Sequence, residues 1–285
     1  MEKMLVTTEE LARHLDDPDW VVIDTRHDLV DPKRGARVYI EEGHIPGAHF
    51  AHVDDDLAGE KTGKNGRHPL PDLETFAKKM RECGVAPGRQ VVVYDDMGGN
   101  WAVRLWWLLR WLGHDKVALL DGHFPKWKKE GRPLTKDVPP ERTGEFVPKP
   151  MLGATVDAAF VESFRQRDDG ALIDARNAER FTGLNEPIDP VAGRIPGAVN
   201  RFWQNNLGAD GLFKPPAKLR EEFQAILGST PAAQAVHMCG SGVTACHNVF
   251  AMELAGLGGS RLYPGSWSEW CADPARPVAT GTDPR

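Results

Sequence analysis

The strongest constraint on the fold is that this chain of 285 residues repeats itself once. The recurring segments, each at an offset of 150 residues, are "VVIDTR" (Val21–Arg26) with "ALIDAR" (Ala171–Arg176) and "GHIPGAHF" (Gly43–Phe50) with "GRIPGAVN" (Gly193–Asn200). One period that spans half the chain indicates a duplicated domain rather than a solenoid. We therefore predict two domains of one fold, at 1–134 and 151–285, joined by a proline-rich and charged linker at 135–150.

Each half alternates strand and helix patterns. In the first half, "WVVIDT" and "QVVVYD" are short apolar segments bounded by turn residues, whereas 70–84 and 100–113 carry apolar residues at helical spacing. Thr7 and Asp157 are candidate N-caps of short helices, again 150 residues apart. Strands that alternate with helices predict an α/β fold, with a mainly parallel sheet flanked by helices in each half. Ligands on such sheets bind at the carboxyl ends of strands.

Composition argues against several classes of protein. Hydrophobic residues make up 41% of the chain, charged residues 27%, and the formal net charge is −6, which predicts a soluble globular protein without a nucleic-acid partner. No apolar segment is long enough for a transmembrane helix, and the N-terminal residues lack the apolar core of a signal peptide, so we expect no membrane association. The four cysteines form no CxxC pair, which argues against a zinc site and predicts free thiols in a reducing, cytoplasmic setting.

One cysteine occupies a position that suits a nucleophile. Cys239 follows the apolar segment "AAQAVHM" and precedes the loop Gly240–Gly242 and a helical segment. Small residues allow successive backbone N–H groups to turn inward and, with the N-terminus of a helix, to stabilise an anion. The thiolate is the reactive form of cysteine, so this position predicts a nucleophile; the alternative is an inert thiol buried in a tight turn. Cys83 and Cys246 lie in apolar helical contexts, and we interpret both as structural.

The first half provides an internal comparison. Asp95, in "YDDMGGNW", aligns with Cys239, and the loop that follows it is one residue longer. No thiol replaces the missing one. We therefore predict a catalytically silent first domain and nucleophilic chemistry in the second domain alone.

The chain resembles the two-domain rhodanese-type sulfurtransferases, because "VVIDTR", "GHIPGA", "RFTG", "GRIPGA", "CGSGVTAC" and "YPGSWSEW" occur in that order over nearly its whole length. The resemblance implies two tandem rhodanese-like domains and an enzyme that needs no metal and no organic cofactor. In that family the cysteine takes a sulfane sulfur from a small donor, becomes a persulfide, and passes the sulfur to cyanide, a small thiol or thioredoxin. The uncharged loop "CGSGVT" resembles the branch that uses 3-mercaptopyruvate, whereas the thiosulfate branch carries basic residues there.

The resemblance also implies roles for individual residues. The catalytic set is Cys239 with Ser241, Asp54 and His68, of which the last three form a relay that moves protons. The predicted donor site consists of Arg180, which binds the donor's carboxylate, and the loop residues Gly240, Gly242, Val243 and Thr244. The alternative for Asp54 is a solvated acidic segment, and the alternative for His68 is an ordinary loop residue.

Two departures from the family pattern bear on the donor. The family's second carboxylate-binding arginine follows a Glu-Pro pair, where this chain has Ile188, and the histidine of the second "GHIPG" is Arg194. Arg194 is therefore a candidate for the missing cation in the donor site; the alternative is a surface substitution. We favour 3-mercaptopyruvate as the donor, and thiosulfate stays open.

Two further functions compete with this interpretation. A phosphatase of the same fold needs an arginine six residues after the cysteine to grip phosphate, and this chain has Ala245 there. A non-enzymatic persulfide carrier or sensing module would form the same persulfide as the enzyme. Turnover with a small donor and cyanide separates the carrier from the enzyme.

Overall fold

Residues 3–282 are described by the structure, a computed structural model. The chain forms two compact units that are not contiguous in sequence. The first unit comprises the residues up to Gly59, Leu70–Met151 and Ala209–Leu212, and the second comprises Glu60–Pro69, Leu152–Gly208 and the residues from Phe213 onwards. The segment 60–69 therefore comes from the first half of the sequence but belongs to the second unit.

The first unit contains a five-stranded sheet in the order β1-β5-β4-β2-β3, in which all the strand pairs are parallel. Its strands are β1 (Leu5–Val6), β2 (Trp20–Asp24), β3 (His49–Phe50), β4 (Gln90–Tyr94) and β5 (Val117–Leu120). Its helices are α1 (Thr8–Arg13), α2 (Arg34–Glu41), α3 (Leu73–Glu82), α4 (Ala102–Trp111) and α5 (His123–Lys129). The two apolar segments of the sequence are the central strands β2 and β4, which are buried on both faces and therefore lack polar alternation.

The second unit contains a four-stranded sheet in the order β7-β6-β8-β9, again with parallel pairs. Its strands are β6 (Ala171–Asp174), β7 (Val199–Asn200), β8 (Ala235–Met238) and β9 (Arg261–Leu262). Its helices are α6 (Ala158–Phe164), α7 (Ala178–Thr182), α8 (Pro216–Leu227), α9 (Ala245–Leu254) and α10 (Ser266–Trp270), with 3₁₀ turns at Trp203–Asn206 and Ala232–Gln234. The predicted class, an α/β fold with two mainly parallel sheets flanked by helices, is confirmed.

The two sheets repeat one pairing scheme. The strands β4 and β8 end opposite Asp24 of β2 and Asp174 of β6, respectively. The next residues along the chain are Asp95 and Cys239, so the two residues follow equivalent strands at the carboxyl edge of their sheets. The alignment of the two halves in the sequence is therefore also the alignment of their strands.

A buried ion pair joins the two repeated motifs within each unit. Nε of Arg26 donates to the carboxylate of Asp24 at 2.9 Å, and Nη2 donates to the carbonyl of the glycine that begins "GHIPGA" at 2.8 Å. In Arg176, Nε donates to the carboxylate of Asp174 at 3.1 Å, and Nη2 donates both to that carboxylate at 2.7 Å and to the carbonyl of the glycine that begins "GRIPGA" at 2.9 Å. These four charged side chains are at most 1% exposed. Because a buried charge without its partner is strongly unfavourable, each pair keeps its two motifs together.

Helix packing explains the tryptophan-rich segment of the first half. All the residues of α4 from Ala102 to Leu109 are buried, including Trp106 and Trp107, so this segment is core. Within residues 3–282, no helix has the length and the apolar character that crossing a membrane requires.

We expect His237 to make the second unit sensitive to acid. Its imidazole is fully buried on β8, with Nε2 3.2 Å from the sulfur of Met252, and burial lowers its pKa to about 3. The unfolded chain takes up a proton near pH 6.5, whereas the folded chain does not. The stability that the neutral imidazole contributes is therefore present above pH 6.5 and is lost progressively as the pH falls towards 3.

His237→Asn should reduce the loss of unfolding free energy between about pH 7 and pH 5 by about 2 kcal/mol. Urea unfolding at the two pH values, followed by tryptophan fluorescence, measures this difference for the variant and the wild type. An identical pH dependence in the two proteins would contradict the prediction, even if the variant were less stable at both pH values.

Candidate active site

The thiol of Cys239 lies directly after β8 and is 2% exposed. Its Sγ accepts the backbone N–H of Gly242 at 3.1 Å and that of Ser241 at 3.4 Å. Both donors point at the sulfur because the loop turns back on itself before α9 begins at Ala245. Backbone N–H groups are stronger donors to an anionic sulfur than to a neutral thiol, so the loop supplies two donors of the kind that a thiolate nucleophile uses.

The shape of this loop depends on Gly242 and on α10. Gly242 has a φ of +78°, and a Cβ at this position would lie 2.4 Å from the carbonyl oxygen of Pro264. Glycine therefore satisfies both the backbone angle and the available space. N–H groups of α10 donate to the carbonyls of Cys239 and Gly240 at 3.0 and 2.9 Å, and Oγ of Ser266 accepts the N–H of Cys239 at 3.1 Å.

Ser241 and His68 form a hydrogen-bonded pair. Oγ of Ser241 and Nδ1 of His68 are 2.7 Å apart, and both side chains are buried. His68 reaches this position because the segment 60–69 belongs to the second unit. A hydroxyl and an imidazole in contact, two residues along the chain from a thiol, are able to pass a proton.

Asp54, the third residue of the predicted relay, lies in the first unit. Its Oδ2 is 3.6 Å from Nε2 of the buried His27. With His52 these side chains form a group whose nitrogen and oxygen atoms lie within 4.8 Å of one another. The role of Asp54 in the proton relay with Ser241 and His68 stays a prediction.

Arg180 borders the loop of Cys239 from α7. Its Nε donates to both carboxylate oxygens of Glu186 at 2.9 Å, and its Nη2 donates to Asp189 at 2.8 Å. Its Nη1 is 3.3 Å from the position that a Cβ on Gly240 would take. Two carboxylates therefore fix the guanidinium beside the loop. Its binding of a donor carboxylate stays a prediction.

A second arginine, which the sequence analysis did not identify, borders the same loop. Nη2 of Arg67 is 2.7 Å from the Cβ position of Gly240, and its Nη1 is paired with Asp189. Its backbone N–H donates to Oγ of Ser268 at 3.0 Å. A signal was present in the sequence, because Arg67 directly precedes His68. Any fold that brings this histidine to the loop also brings the neighbouring arginine close to it.

The charged side chains at this edge of the site alternate in sign. In order of contact they are Asp174, Arg176, Glu186, Arg180, Asp189 and Arg67. The three cations and the three anions cancel. The edge therefore presents guanidinium donors to Gly240 without a large net positive charge.

Three predicted donor-site residues remain: Arg194, Val243 and Thr244. Arg194 is buried, with its guanidinium carbon 4.8 Å from the centre of the Phe181 ring and its Nη1 donating to the carbonyl of Gly281 at 2.7 Å. Val243 is buried within the loop, and Thr244 is the half-buried N-cap residue of α9. The donor-binding roles of these residues stay predictions.

The other three cysteines favour the neutral thiol. Burial raises the pKa of Cys83 to about 12. Burial also raises the pKa of Cys271, although the nearby Arg67 opposes the shift. Sγ of Cys246 donates to the carbonyl of Gly242 at 3.3 Å, which requires the protonated form. These environments support the structural interpretation of Cys83 and Cys246.

The equivalent loop of the first unit is built around a carboxylate. Both oxygens of the fully buried Asp95 accept backbone N–H groups, from residues 97, 99, 101 and 102, at 2.8 to 3.0 Å. The next carboxylate, Asp96, is paired with Arg34 at 2.7 Å. The side chain of Asp95 therefore fills the anion-binding turn that corresponds to the one around Cys239.

Comparison with known proteins links both units to one family. Residues 7–130 and 158–273 each match the sequence model of the rhodanese-like domain. Together the two matches cover most of the chain, and the second includes Cys239 and its loop.

Whole-length relatives are similar to this chain as well. A probable 3-mercaptopyruvate sulfurtransferase from Pseudomonas aeruginosa is 50% identical over 279 residues, which is 97% of this chain and 98% of the relative. A putative thiosulfate sulfurtransferase from Mycobacterium tuberculosis is 37% identical over 285 residues and 98% of both chains. The crystal structure of SseA from Escherichia coli, one of the 3-mercaptopyruvate sulfotransferases, superposes with a TM-score of 0.80 at 32% identity, over 93% of this chain and 99% of that chain.

Gly242→Ala should destabilise the second unit and disturb the loop. The substitution forces a side chain into a left-handed backbone conformation and against the carbonyl of Pro264, at a cost of about 2–4 kcal/mol in unfolding free energy. Gly258→Ala is the matched control, since a Cβ there meets no atom within 4 Å. Urea unfolding of both variants measures the difference, and equal stability of the two would refute the account of the loop.

Asp95→Cys should not create a second reactive thiol. The loop matches two carboxylate oxygens with four donors, and it is one residue longer than the loop of Cys239. The substitution should be tested in a Cys239→Ser background, so that any sulfur added by 3-mercaptopyruvate or thiosulfate arises from the introduced thiol. Intact mass measurement should show no added sulfur. A persulfide at position 95 would mean that side-chain identity alone keeps the first unit silent.

Proposed function

Because the chain belongs to the rhodanese-like family of sulfurtransferases, we propose that Cys239 takes a sulfur atom from 3-mercaptopyruvate and passes it to a thiophilic acceptor. The observation that carries this proposal is the pair of backbone N–H groups, from Ser241 and Gly242, that point at Sγ of Cys239. The same donors stabilise the anionic sulfur before and after each transfer.

The first half of the reaction is an attack by the Cys239 thiolate on the sulfur of the donor. A new S–S bond forms while the C–S bond of the donor breaks, and the electron pair of that bond stays on carbon as the enolate of pyruvate. One proton converts the enolate to pyruvate, and Cys239 remains as the persulfide Cys–S–SH. The carbon gains the electrons that sulfur loses, so the step needs no external oxidant or reductant.

The neighbouring residues bind the donor and handle the proton. Arg180 binds the carboxylate of the donor through charge-assisted hydrogen bonds. The pair of Ser241 and His68, 2.7 Å apart, supplies the proton to the developing enolate. Asp54 is the third member of the relay that the family resemblance implies. Gly240, Gly242, Val243 and Thr244 provide the small, turned backbone on which the donor lies.

The second half returns the enzyme to its starting state. Cyanide attacks the outer sulfur of the persulfide and leaves as thiocyanate, with the Cys239 thiol restored. A small thiol or thioredoxin takes the same sulfur as a new persulfide. The four cysteines carry free thiols, which is consistent with the reducing, cytoplasmic setting that we propose for the reaction.

The donor assignment rests on charge. The loop Gly240–Gly242 carries no charge, and the alternating ionic side chains beside it have no net charge. This environment suits a donor with one carboxylate more than it suits the thiosulfate dianion. The 50% identical relative from Pseudomonas aeruginosa has 3-mercaptopyruvate in its name, which supports the same choice.

Thiosulfate is the second candidate donor. Two guanidinium groups, those of Arg67 and Arg180, lie beside Gly240 and are able to bind a dianion. The relative from Mycobacterium tuberculosis is named for thiosulfate. Comparing kcat/KM for the two donors on one preparation, with cyanide as acceptor, decides between them. A persulfide that forms without turnover would instead favour the carrier or sensing module.

Cys239→Ser should abolish both sulfur labelling and turnover, because the serine hydroxyl cannot form a persulfide. Incubating the wild type with 3-mercaptopyruvate should add one sulfur atom, which peptide mass mapping should locate on Cys239. Cys246→Ser is the control, since its hydroxyl keeps the hydrogen bond to Gly242, and it should retain labelling and turnover. Sulfur on Cys246 or Cys83, with Cys239 unmodified, would overturn the proposed function.

A further inference from the structure

Each unit contains a short segment that comes from the other half of the sequence. The segment 60–69 follows β3 and belongs to the second unit, whereas Ala209–Leu212 follows β7 and belongs to the first. Each segment lies between the edge strand and the next α-helix of its own half, α3 or α8. The two loops are therefore equivalent in the repeat, and each completes the unit that the other half builds.

Both segments reach the same point of the unit that contains them. A Cβ on Gly66 would lie 2.8 Å from the carbonyl oxygen of Gly265, and a Cβ on Gly122 would lie 2.9 Å from Cδ2 of Leu212. Gly122 and Gly265 directly precede α5 and α10, and the residue after each glycine has a left-handed backbone, with φ of 52° and 54°. The segment Ala209–Leu212 therefore takes in the first unit the place that 60–69 takes in the second.

In the first unit this arrangement forms a cavity of about 350 Å³. Its walls include Gly98, Gly122 and Gly211, together with Pro125 and Leu212. Gly98 belongs to the loop that follows Asp95, so the cavity lies beside the counterpart of the Cys239 loop. Sites for small molecules have volumes of about 300 to 1,000 Å³, and this cavity is at the small end of that range.

Two lysines of α5 line the cavity and have few anionic partners. Among residues 3–282, no carboxylate is paired with Lys129, and Nζ of Lys126 is 3.9 Å from Oε1 of Glu130. Glu130 is already engaged, because it accepts hydrogen bonds from Nε of Arg132 at 2.6 Å and from Oγ1 of Thr8. The two ammonium groups are therefore available to an anion in the cavity.

The other groups of the wall set the charge and polarity of a ligand. Asp210 is the remaining charged residue of the wall, and its Oδ1 accepts the backbone N–H of Leu212 at 3.1 Å. With Glu130 neutralised by Arg132, the two lysines and Asp210 leave a charge of about +1. Glycine, proline and leucine, with the aliphatic stems of the lysines, form the rest of the wall. Such a site suits a ligand with an apolar body and one negative charge.

The fold does not require these lysines. Counted from the preceding glycine, the residues of the second unit that correspond to Lys126 and Lys129 are Glu269 and Ala272. The corresponding tryptophans, Trp127 and Trp270, are both fully buried, so the two helices pack in the same way. The charge of this wall is therefore a property of the first unit alone.

We propose that the first unit has a binding site of its own for a small monocarboxylate with an apolar body, in which Lys126 and Lys129 bind the carboxylate. The site lies between the loop that follows Asp95, α5 and the segment Ala209–Leu212. The first unit then binds a ligand at the carboxyl edge of its sheet without transferring a group. This inference goes beyond the proposed function and does not depend on it.

Binding of benzoate tests this site, because benzoate joins an apolar ring to one carboxylate. Protein labelled with ¹⁵N-glycine distinguishes the two units, since Gly98, Gly122 and Gly211 line the cavity whereas Gly240 and Gly242 belong to the Cys239 loop. Benzoate should shift the amide resonances of the three cavity glycines along one saturation curve, with a dissociation constant of about 1 mM. Benzamide, which has nearly the same shape and no charge, should bind at least about tenfold more weakly.

The role of the lysines is tested by Lys126→Met combined with Lys129→Met, which removes both charges and keeps the aliphatic stems. Benzoate binding at the cavity glycines should weaken at least about tenfold, and benzamide binding should stay the same. Lys128→Met is the matched control, because Lys128 lies on the same helix and does not line the cavity. It should bind benzoate as the wild type does.

Three results would overturn the proposal. The first is that the cavity glycines do not shift at benzoate concentrations of about 10 mM, whether or not Gly240 and Gly242 do. The second is that their shifts persist in the double lysine variant, and the third is that benzamide binds as tightly as benzoate. The measurement uses no sulfur donor, so each of these results is independent of whether Cys239 transfers sulfur.

Discussion

The buried pair of an aspartate and an arginine at the end of the central strand is the interaction on which each unit depends. Asp24 with Arg26, and Asp174 with Arg176, hold the strand end against the glycine carbonyl of the next motif. Removing either partner would leave a buried charge uncompensated, so each pair keeps its strand end and the next motif together. In the second unit the pair also begins the ionic series that continues through Glu186 to the guanidinium groups beside the loop.

Equivalent turns in the two units direct backbone N–H groups at different side chains. In the first unit the turn receives a carboxylate from its own strand, and the four bonds to Asp95 make the loop part of the core. In the second unit the turn receives a sulfur atom with two such bonds, from Ser241 and Gly242. The loop of the second unit is one residue shorter and surrounds a thiol, whereas the loop of the first unit surrounds its own carboxylate. A turn that holds a carboxylate and a turn that holds a thiol therefore differ by few residues in the sequence.

Local features of the structure could be predicted from the sequence because they depend on neighbouring residues. Thr7 and Asp157 cap α1 and α6 as predicted. The side-chain oxygen of each accepts the backbone N–H of the residue three positions later. The parallel sheets follow from the alternation of apolar and helical segments. Arg67 is a different case: its contact with Asp189 joins residues 122 positions apart, and its signal in the sequence is only its place directly before the predicted relay residue His68. The sequence predicted two contiguous domains, at 1–134 and 151–285. It did not predict that residues 60–69 belong to the second unit.

Because residues 60–69 belong to the second unit, the surroundings of Cys239 are built from both halves of the sequence. The thiol is encoded in the second copy, but His68 and Arg67 are encoded in the first, before the linker. A gene divided at the boundary between the copies would keep a complete strand and loop around Cys239 and would lose the imidazole and one guanidinium that border it. The two repeats are separate in the sequence, yet the groups that border Cys239 come from both of them. The shortest piece of this chain that contains all of these groups therefore begins well before the second repeat.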